Sequence, residues 1–183
     1  MTLEPKASVR AALSRDAEAI AHVHVQCWRT TYKAIIPDAY LVALDEQKWA
    51  SQWKEWLERD IRIYVVELGN EVVGFVSGGA LREQERGDDG ELYTIYLLDR
   101  AQGLGLGKVL VKTLSSALAS DGFKTMLVWV LKQNPAIRFY EYLGAIQVSG
   151  KEIEIGGPNL QEISFGRTAL KRLTFFAWAG FLG

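Results

Sequence analysis

Residues 102–108 read Gln-Gly-Leu-Gly-Leu-Gly-Lys, and this run constrains the fold more than any other stretch of the chain. Upstream, Glu91–Leu98 (ELYTIYLL) is rich in β-branched and aromatic residues, which predicts a strand. Downstream, Leu110, Leu114 and Leu118 recur every four residues, so a helix follows the glycines at once. Strand, glycine turn and helix in series make an anion site. The first N–H groups of a helix have no intrahelical partner, and the macrodipole adds partial positive charge there. Glycines at 103, 105 and 107 let the backbone curl around an oxygen cluster without Cβ clashes.

The other elements follow from pattern. Ser8–Leu13 reads as a first strand, and Ser14 as the N-cap of a helix running through Ile20, Val23, Cys27 and Trp28. Pro37 opens a second helix, with Leu41, Leu44, Trp49, Trp53, Trp56 and Leu57 on roughly one side, which predicts a buried face. Ile61–Leu68 and Glu71–Ala80 flank Gly69-Asn70 as an antiparallel hairpin. Arg82–Gly90 is a charged loop, Thr125–Leu131 an apolar strand, and Pro135–Leu143 a short helix ended by Gly144. Lys151–Ile155 and Leu160–Phe165 flank a glycine-rich turn and form a last hairpin. The order β-α-α-β-β-β-α-β-α-β-β specifies a mixed sheet covered by helices.

Composition narrows the partners. With 21 Lys+Arg against 22 Asp+Glu, the chain lacks the basic excess of a polybasic nucleic-acid binder, so any bound anion is met locally. Hydrophobic residues make up 49% of the 183, enough for one cored domain. Cys27 stands alone, and no Cys/His cluster has metal-ligand spacing, so no metal is expected. The first ten residues carry no apolar run of a secretory signal, and no stretch reaches about 18 apolar residues, so a cytoplasmic protein without membrane contact is expected.

Two common phosphate signatures fail at the glycine turn. A Walker A loop needs Gly at Gln102 and Ser or Thr at Val109; a dinucleotide fingerprint from Gly103 needs Gly at Lys108. What fits is Gln-x-x-Gly-x-Gly over Gln102, Gly105 and Gly107, followed after the next strand by Asn134 and then Phe139-Tyr140 and Leu143-Gly144. With Glu91 early in the preceding strand, this resembles the GCN5-related N-acetyltransferases, the GNAT superfamily. The resemblance runs in element order from Ser8 to Ala169 and is most specific from Glu91 to Gly144. Asp99-Arg100 in place of a proline-containing turn, and Ala145 where Phe is commoner, depart from the pattern outside the proposed chemistry.

The resemblance implies an α/β (α+β) fold: a central mixed, mostly antiparallel sheet of about seven strands with a splayed parallel pair, flanked by four helices. It implies residues 1–170 as the catalytic domain, with acetyl-CoA as cosubstrate and a small-molecule or peptide amine as acceptor. The pyrophosphate would meet the N–H groups of Gln102, Gly103, Leu104, Gly105, Leu106, Gly107 and Lys108. The pantetheine arm would pair with the backbone of Ile95, Tyr96 and Leu97, and Asn134 would hydrogen-bond the cofactor, although Asn134 before Pro135 also reads as an N-cap.

Acetyl transfer needs a neutral amine, although an alkylammonium has a pKa of about 10.4, so a base or a proton path helps. It also needs a donor for the oxyanion, implied at the Ile95 N–H, and a proton for the leaving thiolate. Tyr140 is the implied acid and Glu91, directly or through water, the base. Glu91 reads equally as a solvent-facing strand residue, and Tyr93 is an alternative on the same face. Trp28, Tyr32, Tyr93 and Trp129 are expected to line an aromatic acceptor pocket. His22 and His24 sit two apart and cannot share a helix face, while Cys27 reads as a small buried apolar residue. Lys108 and Lys112 could approach a phosphate or form a solvated face. Residues 171–183 form an apolar tail suited to a homodimer contact or to packing on its own domain. The same fold without turnover would be an acyl-CoA sensor; the pairing of Tyr140 with Glu91 favours the enzyme.

Overall fold

The computed structural model describes residues 6–83 and 89–170. The expected tail, and residues 84–88 of the charged loop, lie outside the described residues. Among the described residues seven strands form one sheet, in the order β1-β2-β3-β4-β5-β7-β6. They are β1 (Ala7–Ala11), β2 (Arg62–Leu68), β3 (Glu71–Ala80), β4 (Gly90–Leu97), β5 (Thr125–Leu131), β6 (Ile146–Glu154) and β7 (Asn159–Ala169). Every neighbouring pair is antiparallel except β4 with β5. The Gly69-Asn70 hairpin joins β2 to β3, and its positive φ (64°) falls on Gly69, which adopts that conformation without Cβ strain.

Five α-helices flank the sheet among the described residues, one more than expected. They are α1 (Ala17–Thr31), α2 (Asp38–Val42), α3 (Glu46–Leu57), α4 (Leu106–Ser120) and α5 (Ile137–Tyr142). The extra helix arises because the Pro37–Leu57 segment breaks at Ala43–Asp45. The Asp45 carboxylate accepts the N–H groups of Gln47 and Lys48 at 2.8 and 3.1 Å and so starts a new helix. Ser14 does not cap α1. A short 3-10 turn (Ser14–Asp16) intervenes, and Asp16 instead accepts the Leu13 N–H at 2.7 Å while Arg10 grips its carboxylate.

The core divides by sheet face. Leu110, Leu114 and Leu118 of α4 are fully buried against Val76, Leu92, Val128 and Val130, as their four-residue spacing requires. On the opposite face Ile20, Val23 and Cys27 of α1 pack with Trp53 and Phe75, and the tryptophan stripe of α3 covers this layer. Trp53 is 1% exposed, with Trp56 edge-on at 4.7 Å, so the stripe is a packing face.

Two irregularities shape the centre of the sheet. The parallel β4–β5 ladder holds only from Gly90↔Met126 to Leu92↔Val128, although both strands run on, and beyond it they part. In the β3–β4 ladder Gly78 pairs with Leu92 but Ser77 pairs with Thr94, so Tyr93 is the extra residue of a β-bulge. The bulge resets the alternation: Leu92 and Ile95 both face α4, while Tyr96 faces α1 and α3.

Candidate active site

Where β4 and β5 part, a cleft of about 540 Å³ opens between them. Its walls are Leu92–Leu97 of β4, Val128–Val130 of β5, the glycine turn, and the segment from Asn134 into α5; Cys27, Thr31 and Tyr32 of α1 and its C-terminal cap close one end. Leu98 donates its N–H to the Val73 carbonyl of β3, so strand alternation turns the peptide groups of Ile95 and Leu97 away from β3, toward the gap. The Leu97 carbonyl accepts the Gln102 side-chain amide at 3.0 Å, which ties the end of β4 to the start of the turn.

The turn itself is a row of open donors. The Gln102 N–H is used by the Asp99 carbonyl, and the Lys108 N–H by the Gly105 carbonyl. The five N–H groups from Gly103 to Gly107 have no acceptor among the described residues. Of the N–H groups expected to meet an anion from Gln102 to Lys108, the central five are therefore open. Among the described residues no side chain caps α4, and no acidic residue stands in its first turn to offset its positive end. Gly103 and Gly105 have φ of 75° and 77°, in the left-handed region. Gly107 sits close to α5: a Cβ there would lie 3.3 Å from the Phe139 ring, a tight contact to which the ring would have to yield. Lys108 lines the cleft, with its ammonium on the Tyr142 hydroxyl at 2.8 Å, whereas Lys112 does not line it.

Most of the expected site residues converge here. Ile95, Tyr96, Leu97, Gln102, Gly103, Gly105, Leu106, Gly107, Lys108, Asn134 and Tyr140 line the cleft, as do Tyr32, Tyr93 and Trp129. Three do not. Leu104 is 59% exposed and contributes only its backbone. Trp28 stands behind the wall and donates its indole N–H to the Tyr96 hydroxyl at 2.8 Å. Glu91 is buried beside the cleft, where its carboxylate accepts the Arg82 backbone N–H at 3.0 Å and the Arg82 guanidinium. The cations Arg82 and Lys151 lie over the rings of Tyr93 and Trp129, at 4.8 and 4.3 Å.

Tyr140 packs between Phe139 and Phe165, and its hydroxyl has no hydrogen-bond partner among the described residues. Burial, reinforced by Tyr32, pushes its pKa well above that of a free phenol, so it holds its proton at neutral pH. Asn134 does two jobs: Oδ1 accepts the Ala136 N–H at 2.9 Å, and Nδ2 donates to the Tyr32 hydroxyl at 3.3 Å. Asn134 is not the helix N-cap that its place before Pro135 suggested: α5 begins at Ile137 with Ala136 as N-cap, and the Asn134 side chain braces the turn ahead of it. Burial pushes the Cys27 thiol up to about 12, which suits a packing residue and not a nucleophile. Sequence reasoning missed Thr31, Thr94 and Phe139 as wall residues, because the bulge at Tyr93 and the approach of Phe139 to Gly107 leave no mark in the sequence pattern.

No helix among the described residues is long and apolar enough to cross a membrane. A model of the Acetyltransferase (GNAT) family matches residues 19–145, which span the cleft and its walls. The chain is 40% identical over 166 residues to the "Uncharacterized N-acetyltransferase YuaI" of Bacillus subtilis (strain 168), covering 91% of this chain and 95% of that one. Among solved structures, the PaiA N-acetyltransferase of Thermoplasma acidophilum in complex with coenzyme A matches at TM-score 0.67 and 18% identity, over 86% of this chain and 98% of the other. YncA of Salmonella typhimurium, a putative acetyltransferase with its cofactor acetyl-CoA, matches at TM-score 0.66 and 22% identity, over 90% and 94%. With the family match covering more than half its length and agreeing with the splayed strands and the glycine turn, the chain belongs to the GNAT family of acetyltransferases.

Proposed function

We propose that this protein transfers an acetyl group from acetyl-CoA to a primary amine of a small molecule or peptide, by direct attack within a ternary complex. The observation that carries the reading is the β4–β5 cleft ending on five consecutive unpartnered N–H groups, Gly103 to Gly107. They suit a pyrophosphate, and the outward peptide groups of Ile95 and Leu97 suit an amide-bearing arm laid along β4. Acetyl-CoA supplies an activated thioester; the chain's residues supply position and protons. The Ile95 N–H, turned into the gap, is placed to receive the developing oxyanion. Tyr140 holds the proton required by the leaving sulfur. Glu91 is committed to Arg82, so we assign it to fixing that guanidinium at the rim and route the amine's proton to water.

The test is calorimetric titration of acetyl-CoA, followed by a free-CoA release assay across an amine panel. Leu104→Glu adds a carboxylate beside the open N–H groups at an exposed position without a positive φ, and should weaken acetyl-CoA binding about tenfold, or about 1.4 kcal/mol. Tyr140→Phe should lower turnover about 100-fold with acetyl-CoA affinity kept. Unchanged affinity in Leu104→Glu refutes the anion site. Tight binding with no CoA released to any amine would make the protein an acyl-CoA sensor.

A further inference from the structure

Two hydroxyls in the cleft wall, those of Tyr32 and Tyr96, are supplied from both ends by groups that can only donate. At one end the Trp28 indole N–H reaches the Tyr96 oxygen at 2.8 Å, and an indole nitrogen offers no acceptor. At the other, Asn134 Nδ2 reaches the Tyr32 oxygen at 3.3 Å. The orientation of that amide is set, because its Oδ1 accepts the Ala136 N–H at 2.9 Å. The two hydroxyls lie close enough to influence each other's ionisation.

Proton counting then has one outcome. Two phenols bring two protons, and the link between them uses at most one. Neither hydroxyl has an acceptor elsewhere among the described residues. At least one proton is left over, and both residues line the cleft, as Tyr140 does, so the cleft is the side open to it. The arrangement is donor-terminated at both ends and therefore presents a donor to whatever occupies the cleft.

We propose that the Tyr32–Tyr96 pair is an oriented hydrogen-bond donor to the sulfur leaving the acyl group, a catalytic element additional to Tyr140, with Trp28 and Asn134 as positioning residues. This rests on the cleft being an acetyl-CoA site. As the amine nitrogen bonds to the acyl carbon, the C–S bond breaks and its electron pair goes to sulfur; the proton lost from nitrogen balances the one sulfur finally takes from Tyr140. The pair moves no proton. It stabilises the thiolate while charge is on sulfur, and its orientation is set beforehand.

The experiment titrates the thiol of CoA bound to wild type, Tyr32→Phe, Tyr96→Phe and Asn134→Asp by thiolate absorbance, with kcat and KM measured alongside. Asn134→Asp keeps an oxygen for the Ala136 N–H but turns the terminal donor into an acceptor, which takes up the spare proton while both tyrosines remain. The titratable groups around the pair are Cys27, Tyr140 and Glu162, with the His24 ring stacked on Tyr96. Burial holds Cys27 at about 12, so the protein's own thiol stays clear of the signal. Asn134→Asp and at least one of the two Tyr→Phe variants should raise the bound thiol's pKa by about one unit and lower kcat about tenfold, with KM for acetyl-CoA in the Tyr→Phe variants within about twofold of wild type. A thiol pKa in Tyr32→Phe and Tyr96→Phe equal to that of wild type overturns the proposal while leaving the cofactor site standing. If CoA fails to bind wild type, the site reading falls and this inference with it.

Discussion

His24 should make the protein lose stability in mild acid, well before its carboxylates do. The ring is 3% exposed and sits among Trp49 (4.1 Å between centroids), Tyr96 (5.2 Å) and Trp53, whose indole N–H donates to Nδ1 at 3.1 Å. Burial pushes its pKa down to about 3 from an ordinary value of 6.5. The folded state therefore resists a proton that the unfolded chain accepts. Above pH 6.5 neither state binds it and stability is level. Below 6.5 the unfolded state is favoured by about 1.4 kcal/mol per pH unit, until the folded ring protonates near 3. Between pH 6.5 and 5 the loss is about 2 kcal/mol, a sizeable part of a typical domain's stability. The carboxylates of Asp16 and Asp121 are held below their ordinary range by Arg10 and Arg62, and their contributions fade only at lower pH. His24→Asn isolates the effect, since its amide oxygen can replace Nδ1 as acceptor for Trp53 but does not titrate. The variant should be less stable at pH 7 through lost ring packing, yet its urea midpoint should fall less between pH 7 and 5. Tryptophan fluorescence is the readout. Parallel midpoint curves for the two proteins over that range would refute the assignment.

Two further substitutions probe polar groups inside the fold. The Ser115 hydroxyl of α4 is buried without a partner among the described residues, so Ser115→Ala should raise stability, by about 1 kcal/mol in urea unfolding; destabilisation would reveal an acceptor for it. Arg82→Ala leaves the Glu91 carboxylate, 1% exposed, with only a backbone N–H, and should cost about 2 kcal/mol. That is below the figure for a fully buried pair because the guanidinium is half in solvent. A midpoint shift near zero would show that the backbone bond alone holds Glu91.

Local pattern was enough for most of the architecture. The glycine run, the four-residue leucine spacing and the Gly69-Asn70 turn each depend on residues close in the chain, and each appears where the pattern predicted it. Errors came where a side chain chose between local alternatives, as when Asp45 split one predicted helix into two and Asp16 displaced Ser14 as the N-terminal anchor.

By itself, then, the sequence determined the family, the strand–turn–helix unit with its glycine turn, and the placing of Tyr140 and Asn134 near it. These follow from short-range spacing and backbone preference. Only the tertiary structure decided which residues act together. The bulge at Tyr93 and the parting of β4 from β5 open the cleft, and pairing register between distant strands controls both. The commitment of Glu91 to Arg82, the withdrawal of Trp28 behind Tyr96, and the link between Tyr32 and Asn134, 102 positions apart, also depend on how distant elements pack. Hydrogen-bond partners across such distances are chosen by packing geometry, which composition and periodicity do not encode.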